Sequence, residues 1–173
     1  MHTIQFQENQ RFKELAIYVL LGLLQALFLW GLIQQVIFDK PWGTKPASDF
    51  ALIILNMGML LLILLFFSFN LKTVITEQYI SFRFFPIQTK MRIIYWRDIK
   101  NVKIIEYGGI TEYWGYGLRF MPGKGWCYTM PGHHGIRLTL TNGKKILIGT
   151  HMTKEISNIL NDLKNRGTID RPD

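Results

Sequence analysis

The chain has 173 residues, 49% of them hydrophobic, a net charge of +8 and one cysteine, Cys127. That length suits one ordinary domain with some chain to spare, and a lone cysteine excludes an internal disulfide and fits a reducing compartment. Residues 1–71 hold as many acidic as basic side chains, so the whole excess charge follows residue 71. A basic second part favours a polyanionic neighbour, an anionic lipid surface more than nucleic acid.

Residues 1–14 read as an N-terminal cytoplasmic tail. Residues 15–38 (LAIYVLLGLLQALFLWGLIQQVIF) and 50–71 (FALIILNMGMLLLILLFFSFNL) carry no charge. Each exceeds the ~20 residues that a helix needs to cross a bilayer. Inside hydrocarbon the backbone must satisfy its own hydrogen bonds, so both are expected as transmembrane helices, together a hairpin over 15–71. The first run is too long for the apolar part of a signal peptide and ends without a small-x-small cleavage site. Residues 39–49, DKPWGTKPASD, read as a short polar turn between antiparallel helices. Tyr18, Trp30 and Trp42 lie near segment ends, where amphipathic rings favour the interface.

Arg11, Lys13 and Lys72 flank the helices on one side, against Lys40 and Lys45 in the connecting loop. This balance places both termini in the cytoplasm, by the positive-inside rule, at the plasma (inner) membrane. Within the spans, Gln25, Gln34, Gln35 and Asn56 need polar partners. Hairpin geometry puts Asn56 near the depth of Gln34. Gly22, Gln25 and Ala26 form a candidate helix–helix seam for a homo-oligomer; the plainer reading is that the amides only fix the hairpin.

From Thr73 the pattern changes to short alternating runs. Strands are expected at 79–85, with Ile80, Phe82 and Phe84 on one face, then at 91–96, 102–107, 117–121 and 126–129. Repeated glycines separate them, which indicates an antiparallel sandwich or barrel. In the last hairpin a three-residue Thr-Asn-Gly loop pairs Leu138 with Ile146 and Ile136 with Ile148. That register keeps the branched residues on one face and gives Gly143 a positive φ. After His151 the period becomes helical: Ile156, Ile159, Leu160 and Leu163 form one stripe, and Arg166–Gly167 is the stop.

The segments YGG (107–109), GYGLRF (115–120) and GKGWCYTMPGHHGIRLTLTNGKKILIGT (123–150), followed by the terminal helix, resemble the bacterial PH-domain membrane proteins. These small proteins carry two spans and then a pleckstrin-homology-like domain, and with the two helices the resemblance covers nearly the whole chain. It implies an α+β membrane protein: a two-helix hairpin, then a PH-like antiparallel β-sandwich or barrel over 72–166 capped by a C-terminal helix, with a tail at 167–173. It implies no catalytic residue and no cofactor. Eukaryotic PH domains often bind inositol phosphates through basic residues of the first hairpin. That region here offers only Arg83, Lys90 and Arg92, so phosphoinositide binding is not expected.

Cys127, His133, His134 and His151 have suitable donors for zinc, but their spacing matches no standard site, and neighbouring strand residues point opposite ways. No metal is expected. Nor does a Ser/His/Asp set or a phosphate loop occur, so the chain reads as a non-enzyme. Tyr113, Trp114, Tyr116 and Trp126, aromatic residues in a glycine-rich segment, are the candidate interface patch. Lys90, Arg92, Arg97, Lys100 and Lys103 are candidate anionic-lipid contacts, against the plainer reading of a solvated face. The expected function is a non-catalytic, membrane-anchored interaction or scaffold module with a protein partner. The alternatives are an accessory subunit of a transport or secretion complex and an anionic-lipid sensor. No nucleic-acid partner is expected.

Overall fold

The computed structural model describes residues 4–108 and 115–169. It divides into two compact units, residues 13–68 and the rest of the chain. It is α+β: two apolar helices, two β-sheets and a C-terminal helix.

The helical unit contains α1 (Leu15–Leu32), which widens into a π turn over Ile33–Ile37, and α2 (Asp49–Ser68). Both are long and apolar enough to cross a membrane, and only 11% of each is buried within the protein. Leu23, Leu27, Leu61 and Leu64 all point outward. Amides join the two helices. Gln25 Nε2 donates to Asn56 Oδ1 at 3.1 Å, and Asn56 Nδ2 donates to the Phe28 and Leu52 carbonyls. Asn56 therefore lies at the depth of Gln25, more than two helical turns from the expected Gln34. Gln34 falls in the π turn, and Gln35 instead holds the loop through Ala47 and Asp49. The loop also folds back: an added Cβ on Gly31 would lie 2.5 Å from the Trp42 ring, so only glycine admits that indole.

The β unit begins earlier than expected. Ile4–Arg11, assigned to a tail, form strand β1, antiparallel to β2 (Asn70–Thr76). Asn70 and Leu71 belong to that pair, so α2 ends at Ser68 and not at residue 71. Leu71 is apolar because it is fully buried in the sheet. The first sheet continues through β3 (Tyr79–Phe85) to β4 (Arg92–Tyr95), in the order β1-β2-β3-β4. Ile80, Phe82 and Phe84 are all buried. A 3₁₀ turn at Trp96–Asp98 then ends the first sheet, held by the Trp96 indole donating to the Thr76 carbonyl at 2.9 Å.

The second sheet has the order β5-β8-β9-β7-β6. Its strands are β5 (Ile99–Glu106), β6 (Gly117–Met121), β7 (Gly125–Thr129), β8 (His134–Leu140) and β9 (Lys145–Thr150). The β8–β9 hairpin has the expected register, with Leu138 opposite Ile146, Ile136 opposite Ile148, and φ of 78° at Gly143. The sheet is not antiparallel throughout. Strand β9 returns between β8 and β7 and runs parallel to β7. Helix α3 (Thr153–Asn165) buries Ile156, Leu160 and Leu163 in the same core as the inner residues of both sheets. Leu147, on the opposite face of β9, is buried in a separate cluster with Tyr107 and Cys127.

Candidate functional site

Strands β6 and β7 form a hairpin whose register places Phe120 opposite Trp126. Their ring centroids are 5.4 Å apart at 59°, yet the residues are 60% and 42% exposed. Large aromatic rings left in solvent next to one another are unusual for a core-forming hairpin and mark a contact surface.

These rings border an open groove of about 470 Å³ that spans both sheets. Arg92 of β4 enters from the first sheet, and Lys144 and Lys145 enter from the β8–β9 turn. The guanidinium of Arg92 is held in place: Nη1 donates to the Tyr128 hydroxyl at 3.1 Å, and the group lies 6.0 Å from the Phe82 ring centroid. Lys145 Nζ donates to the Gly123 carbonyl at 3.1 Å. Among the described lining residues there is no carboxylate. Gly123, Gly125 and Gly143 complete the wall. At Gly125, with φ of 84°, a Cβ would overlap the Lys145 carbonyl, so glycine is required for β7 to approach β9.

The groove combines residues that the sequence separated. Trp126 belongs to the expected aromatic patch and Arg92 to the expected basic cluster. Tyr116 is half-buried, and its carbonyl accepts a bond from Arg119. Tyr113 and Trp114 lie outside the described residues. Lys90, Arg97, Lys100 and Lys103 are exposed, on the β3–β4 loop, the 3₁₀ turn and β5. Arg97 lies 5.1 Å from the Tyr95 ring centroid, and Lys103 borders a smaller hollow of about 280 Å³ between β5 and α3. In the helical unit Gly22 and Ala26 face outward, while Gln25 is engaged with Asn56.

Phe120, Lys144 and Lys145 were not singled out from sequence. A readable signal existed for the lysines: a lysine pair after an Asn-Gly turn must project at a hairpin tip. No such signal marked Phe120, because its neighbour Trp126 is fixed by pairing across a turn.

Cys127 is buried behind Trp126, and burial pushes its thiol pKa up, against the opposing pull of Arg137, Arg119 and Lys124. Burial lowers the Arg119 pKa. Among the described residues, no three of the His, Cys, Asp and Glu side chains gather as a metal site. No family model matches the chain, and no curated protein matches it significantly.

Proposed function

We propose that this chain is an integral membrane protein whose helical hairpin crosses the bilayer and holds a PH-like β unit in the cytoplasm as a non-catalytic interaction module. The observation that carries the reading is a strand pair. Arg11, which leads into α1, is paired with Asn70, which follows α2. Two helices inserted between neighbouring strands must begin and end on the same side of a membrane, and they must enter and leave it together. Their outward apolar surface has no counterpart in a water-soluble insertion of this size. The basic residues on the Arg11, Lys13 and Lys72 side favour the cytoplasm.

Two open sheets closed by a terminal helix support the PH-like assignment, and the parallel β7–β9 pair departs from its antiparallel form. The exposed groups of the groove are cations and aromatic rings, which is chemistry suited to binding. Membranes washed with alkaline carbonate, then solubilised in mild detergent and affinity-purified through a tag on this chain, test the reading. Retention in the washed membrane with a stoichiometric co-purifying protein is expected. Release by carbonate would refute the anchor, and purification as a bare monomer would refute the partner.

A further inference from the structure

The groove beneath Trp126 is more specific than a general contact surface. We propose that it binds the phosphate group of a phosphate ester, with the ester's organic part lying over Trp126 and Phe120. This assignment does not depend on the helices crossing a bilayer.

Three observations converge. The first is charge. Arg92, Lys144 and Lys145 come from two sheets and meet around one hollow that no described carboxylate lines. Like charges around a concave surface repel one another and focus a positive potential into it, and a bound anion relieves the repulsion. The second is preorganisation. Arg92 is fixed by Tyr128, and Lys145 by Gly123, each through one donor. A guanidinium has five N–H donors and an ammonium three, so both retain donors for a ligand. Several cationic donors brought together from two separate segments suit the several oxygens of a phosphate better than the planar pair of a carboxylate.

The third is the organic part. Phe120 and Trp126 are neighbours across β6 and β7, and both are far more exposed than aromatic residues held for packing. Rings beside cations form a stacking platform for a planar or apolar group attached to an anion. An added Cβ at Gly123 or Gly143 would meet nothing within 4 Å, so these turns leave space for a ligand. The groove volume lies in the range of small-molecule sites, about 300–1,000 Å³. Two sources offer this chemistry: a free nucleotide-like phosphate, or the headgroup of an anionic phospholipid with its adjoining apolar carbons.

The test uses the full-length protein in neutral detergent and in nanodiscs. ADP, glycerol 3-phosphate and inorganic phosphate are titrated calorimetrically in detergent. In nanodiscs of phosphatidylglycerol or phosphatidylcholine, acetylation of Lys144 and Lys145 is read by mass spectrometry. Saturable ADP binding, at least tenfold weaker in the Lys144→Ser/Lys145→Ser variant and reduced to the inorganic phosphate level by Trp126→Ala, assigns a free phosphate ester. Shielding of both lysines by phosphatidylglycerol alone, without binding of the soluble compounds, assigns a lipid headgroup. Circular dichroism establishes that each variant is folded. The proposal is overturned if no soluble phosphate binds and neither lipid shields the lysines. It is also overturned if the folded double-lysine variant binds as well as the original protein.

Discussion

The Glu8 carboxylate accepts a 2.6 Å hydrogen bond from the Thr150 hydroxyl, joining β1 of the first sheet to the end of β9 in the second. Its other oxygen accepts the His151 backbone N–H at 2.9 Å, just before α3 begins. Two residues further along β1, Gln10 Nε2 donates to the Gly149 carbonyl at 2.8 Å. The strand that leads into the first apolar helix is thereby attached to the central strand of the second sheet through buried polar groups.

Replacing Glu8 should therefore cost more than its place near the start of the chain implies. Glu8→Ala leaves the buried Thr150 hydroxyl and the partly buried His151 N–H without their acceptor, a loss of about 2 kcal/mol. Thr150→Val removes one of the two bonds and also the acceptor of the Met152 backbone N–H, and should cost about 1–2 kcal/mol. In denaturant unfolding the two losses should be less than additive, because they share a contact. Full additivity would show that the bond contributes nothing.

This network also explains why β1 was not legible. Phe6, Glu8 and Gln10 occupy its buried face, and two of the three are polar. Apolar alternation, the usual mark of a half-buried strand, is absent, because the partners of these polar groups lie 139 or more residues away. The opposite error occurred at residues 69–71. Phe69 and Leu71 are apolar for the β core, and an uncharged, mostly apolar run does not reveal where lipid-facing chain becomes core-facing chain. Strand β3 and the β8–β9 register were readable because alternation and an Asn-Gly turn are local signals. The parallel insertion of β9 beside β7 was not, because nothing local encodes a return between two earlier strands. The same holds for the groove, which three separate segments assemble.

Asn56 is the polar centre of the hairpin. Asn56→Leu removes its bonds to Gln25, Phe28 and Leu52 and leaves the Gln25 amide without its acceptor. Hydrogen bonds between helices in a membrane are worth about 0.6 kcal/mol each, so a loss of about 1–2 kcal/mol is expected. Thermal unfolding of the full-length protein in detergent should show a lowered midpoint. An unchanged or raised midpoint would mean that packing alone holds α1 against α2.

Gly31 is fixed by its neighbour and not by its backbone angle. Gly31→Ala places a methyl group against the Trp42 ring and should destabilise by about 1–3 kcal/mol. Adding Trp42→Ala frees the space, so the double variant should be more stable than the sum of the two single losses predicts. Strict additivity in the same thermal assay would remove the contact from the account.

Cys127 should be a poor nucleophile. Burial holds its thiol above the ordinary value, so the thiolate fraction in the folded protein is smaller than in a free cysteine at every mildly alkaline pH. The folded state therefore keeps its proton while the unfolded chain loses it. Stability from this group is complete below the ordinary thiol pKa and declines as pH rises through the folded value. Iodoacetamide at pH 8 should label the unfolded protein rapidly and the native protein very slowly. Equal rates would contradict the burial.

The account rests on two helices that cross a membrane from one pair of neighbouring strands, and cysteine sidedness tests that most directly. In a Cys127→Ser background, single substitutions Thr44→Cys in the helix–helix loop, Gln7→Cys in β1 and Asn142→Cys in the β8–β9 turn all lie at exposed positions. In intact cells a membrane-impermeant maleimide should label position 44 alone, and positions 7 and 142 should become reactive together only after permeabilisation. Labelling of positions 44 and 142 from the same side, or of positions 7 and 142 from opposite sides, would contradict the account.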